Sequence, residues 1–160
     1  MKAELELEDH GMPITSVDFE LFPSETIDTL AARLALQIQM EPDDIIAGLC
    51  MDGAPIPNEI ALQEHLMRGH RLRLKRVCID LHFETEAAMH KFPPHATWGR
   101  VLDWGCNHFR VPRDLRANLE LREGSPTGPA VNERLEIGEF GGCKTVWLVK
   151  PGPEPNGECA

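Results

Sequence analysis

Side chains able to do chemistry occur in this chain mainly as isolated pairs. Cys78 and His82 in VCIDLHF, and Cys106 and His108 in WGCNHF, are metal-ligand types, yet neither pair has a second half at zinc-site spacing. Asp43 and Asp44 in MEPDD could share acid and base work, but an acidic turn of this kind is expected to be solvated. There is no phosphate-binding glycine loop, GxSxG elbow or catalytic triad order. The five cysteines (Cys50, Cys78, Cys106, Cys143 and Cys159) form no CxxC pair and are odd in number, which predicts reduced thiols rather than a disulfide framework. Cys143 is expected to pack near a strand start. No enzymatic activity, metal or cofactor is therefore expected. The last glycine of the chain is Gly157, in the segment PGPEPNGECA.

The chain has 160 residues, 26 acidic and 16 basic side chains and a formal charge of -10. Phosphate contacts need clustered Lys and Arg, and here only Arg68 to Arg76 is locally basic, which argues against a nucleic-acid binder. With 42% hydrophobic residues the chain can bury a core. Its apolar stretches are far shorter than the roughly 20 residues that span a bilayer, and MKAELELEDHG lacks a signal peptide's apolar region. A cytoplasmic protein that does not engage membranes is expected.

The elements that would carry these residues show an internal repeat. In PSETIDTLAARLALQI, Ile27, Leu30, Ala31, Leu34 and Ile38 form the apolar face of a helix, with Thr26 as N-cap and Asp28 in the first turn. In PHATWGRVLDWGCNHF, Trp98, Val101, Leu102, Gly105 and Phe109 hold the same relative positions behind Thr97. Pro42, Asp44 and Leu49 recur as Pro112, Asp114 and Leu119. Period-two alternation at Ala3, Leu5 and Leu7, and at Val17, Phe19 and Leu21, predicts strands with one buried face. The second copy offers Val77, Ile79, Leu81 and Phe83, then Ala88, His90 and Phe92. Each copy reads strand, turn, strand, helix, short strand, long loop and final strand, the last at Arg71 to Lys75 or Thr145 to Lys150.

A hairpin, a helix and a return hairpin in some 75 residues is the β-grasp order. The first copy resembles ubiquitin through FPSETIDTLAARL, MEPDDI, CMDGAPI and HRLRLKR, and the second matches more loosely through HATWGRVLDW, VPRDL and KTVWLVK. The chain as a whole resembles tandem two-domain ubiquitin-like modifiers, most closely the BilA type of bacterial antiphage operons. The expected fold class is α+β: two tandem β-grasp domains, 1–76 and 77–150, followed by a Pro/Gly tail, 151–160, that carries a processing site.

The resemblance implies a mechanism without an active site on this chain. A dedicated activating enzyme adenylates a C-terminal glycine and passes it to a thioester, a conjugating enzyme delivers it to target proteins, and a zinc-dependent deconjugating peptidase processes the precursor. Glycine suits the narrow channels of such enzymes because it lacks Cβ. Cleavage between Gly157 and Glu158 would remove Glu158, Cys159 and Ala160, with Gly152 as the lesser candidate. Three prolines between Pro151 and Asn156 favour an extended path of roughly 3.1 Å per residue. If Val146 and Leu148 point inward, Trp147 and Val149 point outward beside Leu121, as a docking face for partners. Ubiquitin's hydrophobic patch position holds Cys50 in the first copy and Glu120 in the second. A homo-oligomer formed through the N-terminal domain is implied by the resemblance. A non-conjugated ubiquitin-like adaptor and a sulfur carrier are the alternative functions.

Overall fold

The computed structural model describes residues 1–9, 11–57 and 59–150. The chain forms two compact units. The first comprises Met1–Cys78 with His90–Ala96 and Ile137–Cys143; the second comprises Ile79–Met89, Thr97–Glu136 and, among the described residues, 144–150.

In the first unit, β1 (Lys2–Asp9) and β2 (Thr15–Glu20) form an antiparallel hairpin with Leu5 opposite Val17. Helix α1 (Ile27–Ile38) follows, buried along Ile27, Leu30, Ala31, Leu34 and Ile38. Its start is fixed by a capping box in which the Thr26 amide donates to Thr29 Oγ1 at 3.2 Å. It ends at Gln39, which adopts a left-handed conformation (φ 59°). Then come α2 (Pro42–Gly48), β3 (Leu49–Met51), β4 (Ala54–Pro55), α3 (Leu62–Met67) and β5 (Leu72–Phe83). The opening part of β5 runs parallel to β1 and antiparallel to β3, giving the strand order β2-β1-β5-β3-β4. A hairpin, a helix packed on one face and a return strand parallel to the first make an α+β, ubiquitin-like β-grasp arrangement.

The second unit draws on β5 from Ile79, then β6 (Glu86–Phe92) as far as Met89, α4 (Trp98–His108), α5 (Arg113–Arg116), β7 (Glu120–Glu123) and β8 (Cys143–Val149) from Lys144. β6 pairs with β5, and β8 pairs with both β5 and β7. Thr97 caps α4, its side chain accepting from the Arg100 amide. Gly105 is required where α4 crosses the sheet, because a Cβ there would come within 2.4 Å of Leu81 Cδ2.

Several local expectations are corrected. The stretch after α1, expected as a turn, is the helix α2 with Pro42 at its start, and Asp44 is buried in its first turn rather than solvated. The expected long loop of the first copy contains α3, anchored by the fully buried Leu62, whose amide donates to Glu25 O at 3.0 Å. The two strands expected on either side of Arg76 are one strand, because Arg76, Val77, Cys78 and Ile79 are all buried and nothing breaks the backbone there. Cys78 and Cys143, expected as reduced thiols, form a disulfide. Their separation of 65 residues left no local signal. Cys50 and Cys106 are free thiols, and burial pushes the Cys106 thiol up. No helix among the described residues is long and apolar enough to cross a membrane.

Arg76 holds three parts of the first unit together. Its guanidinium, 8% exposed by residue, donates to both Asp9 carboxylate oxygens at 3.0 and 2.8 Å and to Ile38 O at 3.0 Å. Lys91 Nζ lies 3.6 Å from the same carboxylate. Burial raises the Asp9 pKa, but the Arg76 hydrogen bonds and the two cations outweigh it and hold the carboxyl below its ordinary value. A depressed carboxylate contributes stability above its unfolded pKa, and the contribution is lost as pH falls through the folded pKa. Arg76→Met should lower unfolding free energy in urea by about 3 kcal/mol at pH 7. The difference from wild type should shrink below about pH 4, as Asp9 becomes protonated.

Candidate functional site

Gly157 and Glu158, with Gly152, Cys159 and Ala160, lie outside the described residues, so the describable candidates are those on the sheet of the second unit. The burial of β8 alternates: Val146 and Leu148 are buried, whereas Trp147 and Val149 are half-buried on the opposite face. The sequence left the phase conditional, and the burial pattern of β8 sets it.

Leu121 does not belong to that outer face. It sits directly opposite Leu148 in the β7–β8 register and is fully buried. Residues facing each other across a ladder share a face, so Leu121 packs inward with Leu148. The residue opposite Trp147 is Arg122, and the one opposite Val149 is Glu120.

The face around Trp147 is aromatic at its centre and charged at its margin. His82 from β5 stacks on the Trp147 indole with ring centroids 4.7 Å apart and an interplanar angle of 24°. His82 Nε2 also pairs with Asp80 Oδ2 at 3.0 Å. Arg122 donates through Nε to Glu120 Oε1 at 2.7 Å and through Nη1 to Gly128 O at 3.2 Å. These contacts leave a flat aromatic platform whose neighbouring charges are matched internally, an arrangement suited to binding by stacking and burial. Asp80 and Arg122 carried no functional signal in the sequence beyond their alternation with buried neighbours, and His82 stood out there only as a metal-ligand type beside Cys78.

The other sequence candidates are dispersed. Cys78 is tied to Cys143 while His82 stacks on Trp147, so these two side chains do not converge. Cys106 is buried within α4, whereas His108 is exposed and stacks on Trp104 at 4.7 Å. Among the described residues no three His, Cys, Asp or Glu side chains come together as a metal site. Cys50 lies opposite Arg73 on the outer face of the first unit's sheet.

No protein-family profile and no curated protein matches this chain. Solved structures that align with it include a ubiquitin from Caldiarchaeum subterraneum at 14% identity, covering 49% of this chain and 96% of that one, with a TM-score of 0.39. A designed protein based on ubiquitin aligns at 13% identity over 50% of this chain and 94% of its own, with a TM-score of 0.38. The C-terminal ubiquitin-like domain of mouse tubulin-specific chaperone e aligns at 16% identity over 49% and 92%, with a TM-score of 0.35. The fold assignment rests on the strand order and register described above.

The two faces of the second unit's sheet should respond differently to truncation. Leu121→Ala should destabilise the chain by about 2–5 kcal/mol, as removal of buried methyl groups from a packed interior does. Val149→Ala, on the half-buried outer face, should cost only about 1 kcal/mol. Urea midpoints of the two variants check the order, and equal losses would contradict the inward placement of Leu121.

Proposed function

We propose that this chain is a tandem two-domain ubiquitin-like protein modifier. In this reading a zinc-dependent peptidase exposes Gly157, an activating enzyme forms its adenylate and then its thioester, and a conjugating enzyme joins it to an amine on a target protein. The setting is bacterial antiviral defence in the cytoplasm.

The observation that carries the reading is repetition of one connectivity. A hairpin, a capped helix packed through its apolar face and a return strand occur first around α1 and again around α4. In both, the return strand pairs beside the first strand of its hairpin: β5 beside β1, then β8 beside β5. The last element among the described residues, β8, ends at Val149, eight residues before Gly157. Eight residues containing three prolines would span up to roughly 25 Å if extended, enough to carry a terminal glycine into another protein's cleft. The Trp147 platform lies on the strand leading into that tail and is the proposed docking face for the activating and conjugating enzymes.

Intact mass after co-expression with a deconjugating peptidase encoded in the same genome tests the reading. The expected product has lost Glu158, Cys159 and Ala160. The processed chain should then form a thiol-labile adduct with the activating enzyme, and Gly157→Val should abolish that adduct. An unprocessed chain that forms no adduct would favour an adaptor that is never conjugated.

A further inference from the structure

The first unit contains a cleft of about 770 Å³ on the outer face of β3 and β5. One side is a row of cations, Arg71, Arg73 and Lys75, projecting on alternate positions of the chain at β5. Pro93 and Pro94 form part of the remaining wall, and the Asp52 and Glu139 carboxylates also line the cleft. Gly48 permits that wall to stand so close, because a Cβ at this position would meet Leu74 Cδ1 at 2.9 Å and Pro93 Cβ at 3.0 Å.

The three cations are held unequally. Arg73 is firmly engaged, donating from Nε and Nη2 to Glu6 Oε2 at 3.1 and 2.7 Å. Arg71 reaches Glu6 only at 3.4 Å, and its side chain is 76% exposed. Lys75 lies 3.8 Å from Glu8 and 3.4 Å from Glu139, with its side chain 57% exposed. Charge-assisted contacts are normally about 2.7–2.9 Å, so a carboxylate arriving from the cleft could engage Arg71 and Lys75 more closely than their present partners do.

The spacing specifies the form of that ligand. Alternate residues of an extended strand are roughly 6.6 Å apart, so Arg71 and Lys75 at i and i+4 match acids at i and i+4 of another extended chain, with Arg73 between them already held by Glu6. The unit already contains such a match on the other side of β5. Strand β1 carries Glu6 opposite Arg73 and Glu8 opposite Lys75 in parallel register. We propose that the cleft binds an extended segment of a partner protein bearing acidic residues at alternate positions. A single-stranded nucleic acid is the poorer fit, because no Phe or Trp lines the cleft to stack a base and the chain's charge of -10 opposes a long polyanion.

A fluorescein-labelled peptide of sequence GSEVEVEVGS, titrated against the full chain and followed by anisotropy, tests the proposal. The peptide should bind with an affinity that falls as salt is raised, and its GSQVQVQVGS counterpart should bind at least about tenfold more weakly. Changing Arg71 and Lys75 together to Gln should reduce affinity for the acidic peptide by about tenfold or more, whereas Arg68→Gln, outside the cleft, should leave it unchanged. An unaltered circular dichroism spectrum and melting curve would show that the double variant is folded. On the wild-type chain, the peptide should perturb the amide resonances of Cys50 and Gly53. Absence of binding, equal binding of the two peptides, undiminished binding by the folded double variant, or displacement of the peptide by oligo(dT) at matched charge would each overturn the proposal.

Discussion

The Arg76 guanidinium determines how the first unit closes. A buried cation is tolerable only when its desolvation is offset by well-aligned acceptors, and Arg76 has the Asp9 carboxylate and the Ile38 carbonyl. These groups come from the end of β1 and the end of α1, so the bonds tie the first strand, the helix and β5 at one point. The register agrees, with Asp9 opposite Arg76 as the last pair of the parallel β1–β5 ladder. Above this point the strand buries Leu72 and Leu74 and turns Arg73 and Lys75 outward. The cationic row beside the cleft is thus a consequence of the same register that buries the leucines.

The same constraint shapes β5 as an element. Alternation holds through Leu72, Arg73, Leu74 and Lys75, is interrupted by four consecutive buried residues from Arg76 to Ile79, and resumes with Asp80 and Leu81. The positions that face inward therefore change from even to odd numbers within a single continuous strand. A sequence pattern of this kind resembles the end of one strand and the start of another. The structural distinction is that Arg76 and Cys78 each find a specific partner, Asp9 and Cys143, at positions where a break would otherwise be expected.

What was legible in the sequence depended on periodicity. Both principal helices could be read because five apolar positions at helical spacing follow a Thr cap in each, although Phe109 lies just beyond the end of α4 rather than within it. The alternation of β8 put Val146 and Leu148 on one face and Trp147 and Val149 on the other, and the burial pattern shows that the first pair is the inner one. Features fixed by a single residue were not legible. In helix α3 only Leu62 is fully buried, with Leu66 partly buried against the same core, which is too little to define a period. The face of Leu121 depends on a one-residue choice of register against β8, and only the pairing with Leu148 decides it. The cleft depends on Pro93 standing against Gly48, 45 residues away in sequence, for which no local pattern exists.

The division of polar contacts separates charges that hold the fold from charges that can meet a partner. Arg33 is bound to Glu25 and to the Glu20 carbonyl, and Arg116 to the Asn107 side chain and the Val111 and Cys106 carbonyls. Arg122 is likewise held by Glu120 and the Gly128 carbonyl. Cations committed in this way stabilise local structure but have little to offer a partner, since any new contact must first replace a good one. Among the described residues, two surfaces differ from this pattern. One is aromatic, where Trp147 and His82 present a stacked surface whose adjoining charges are already paired. The other is electrostatic, where Arg71 and Lys75 stand largely in solvent with only distant partners. The aromatic face and the loosely held cations belong to different units, so binding at one does not use the groups that serve the other.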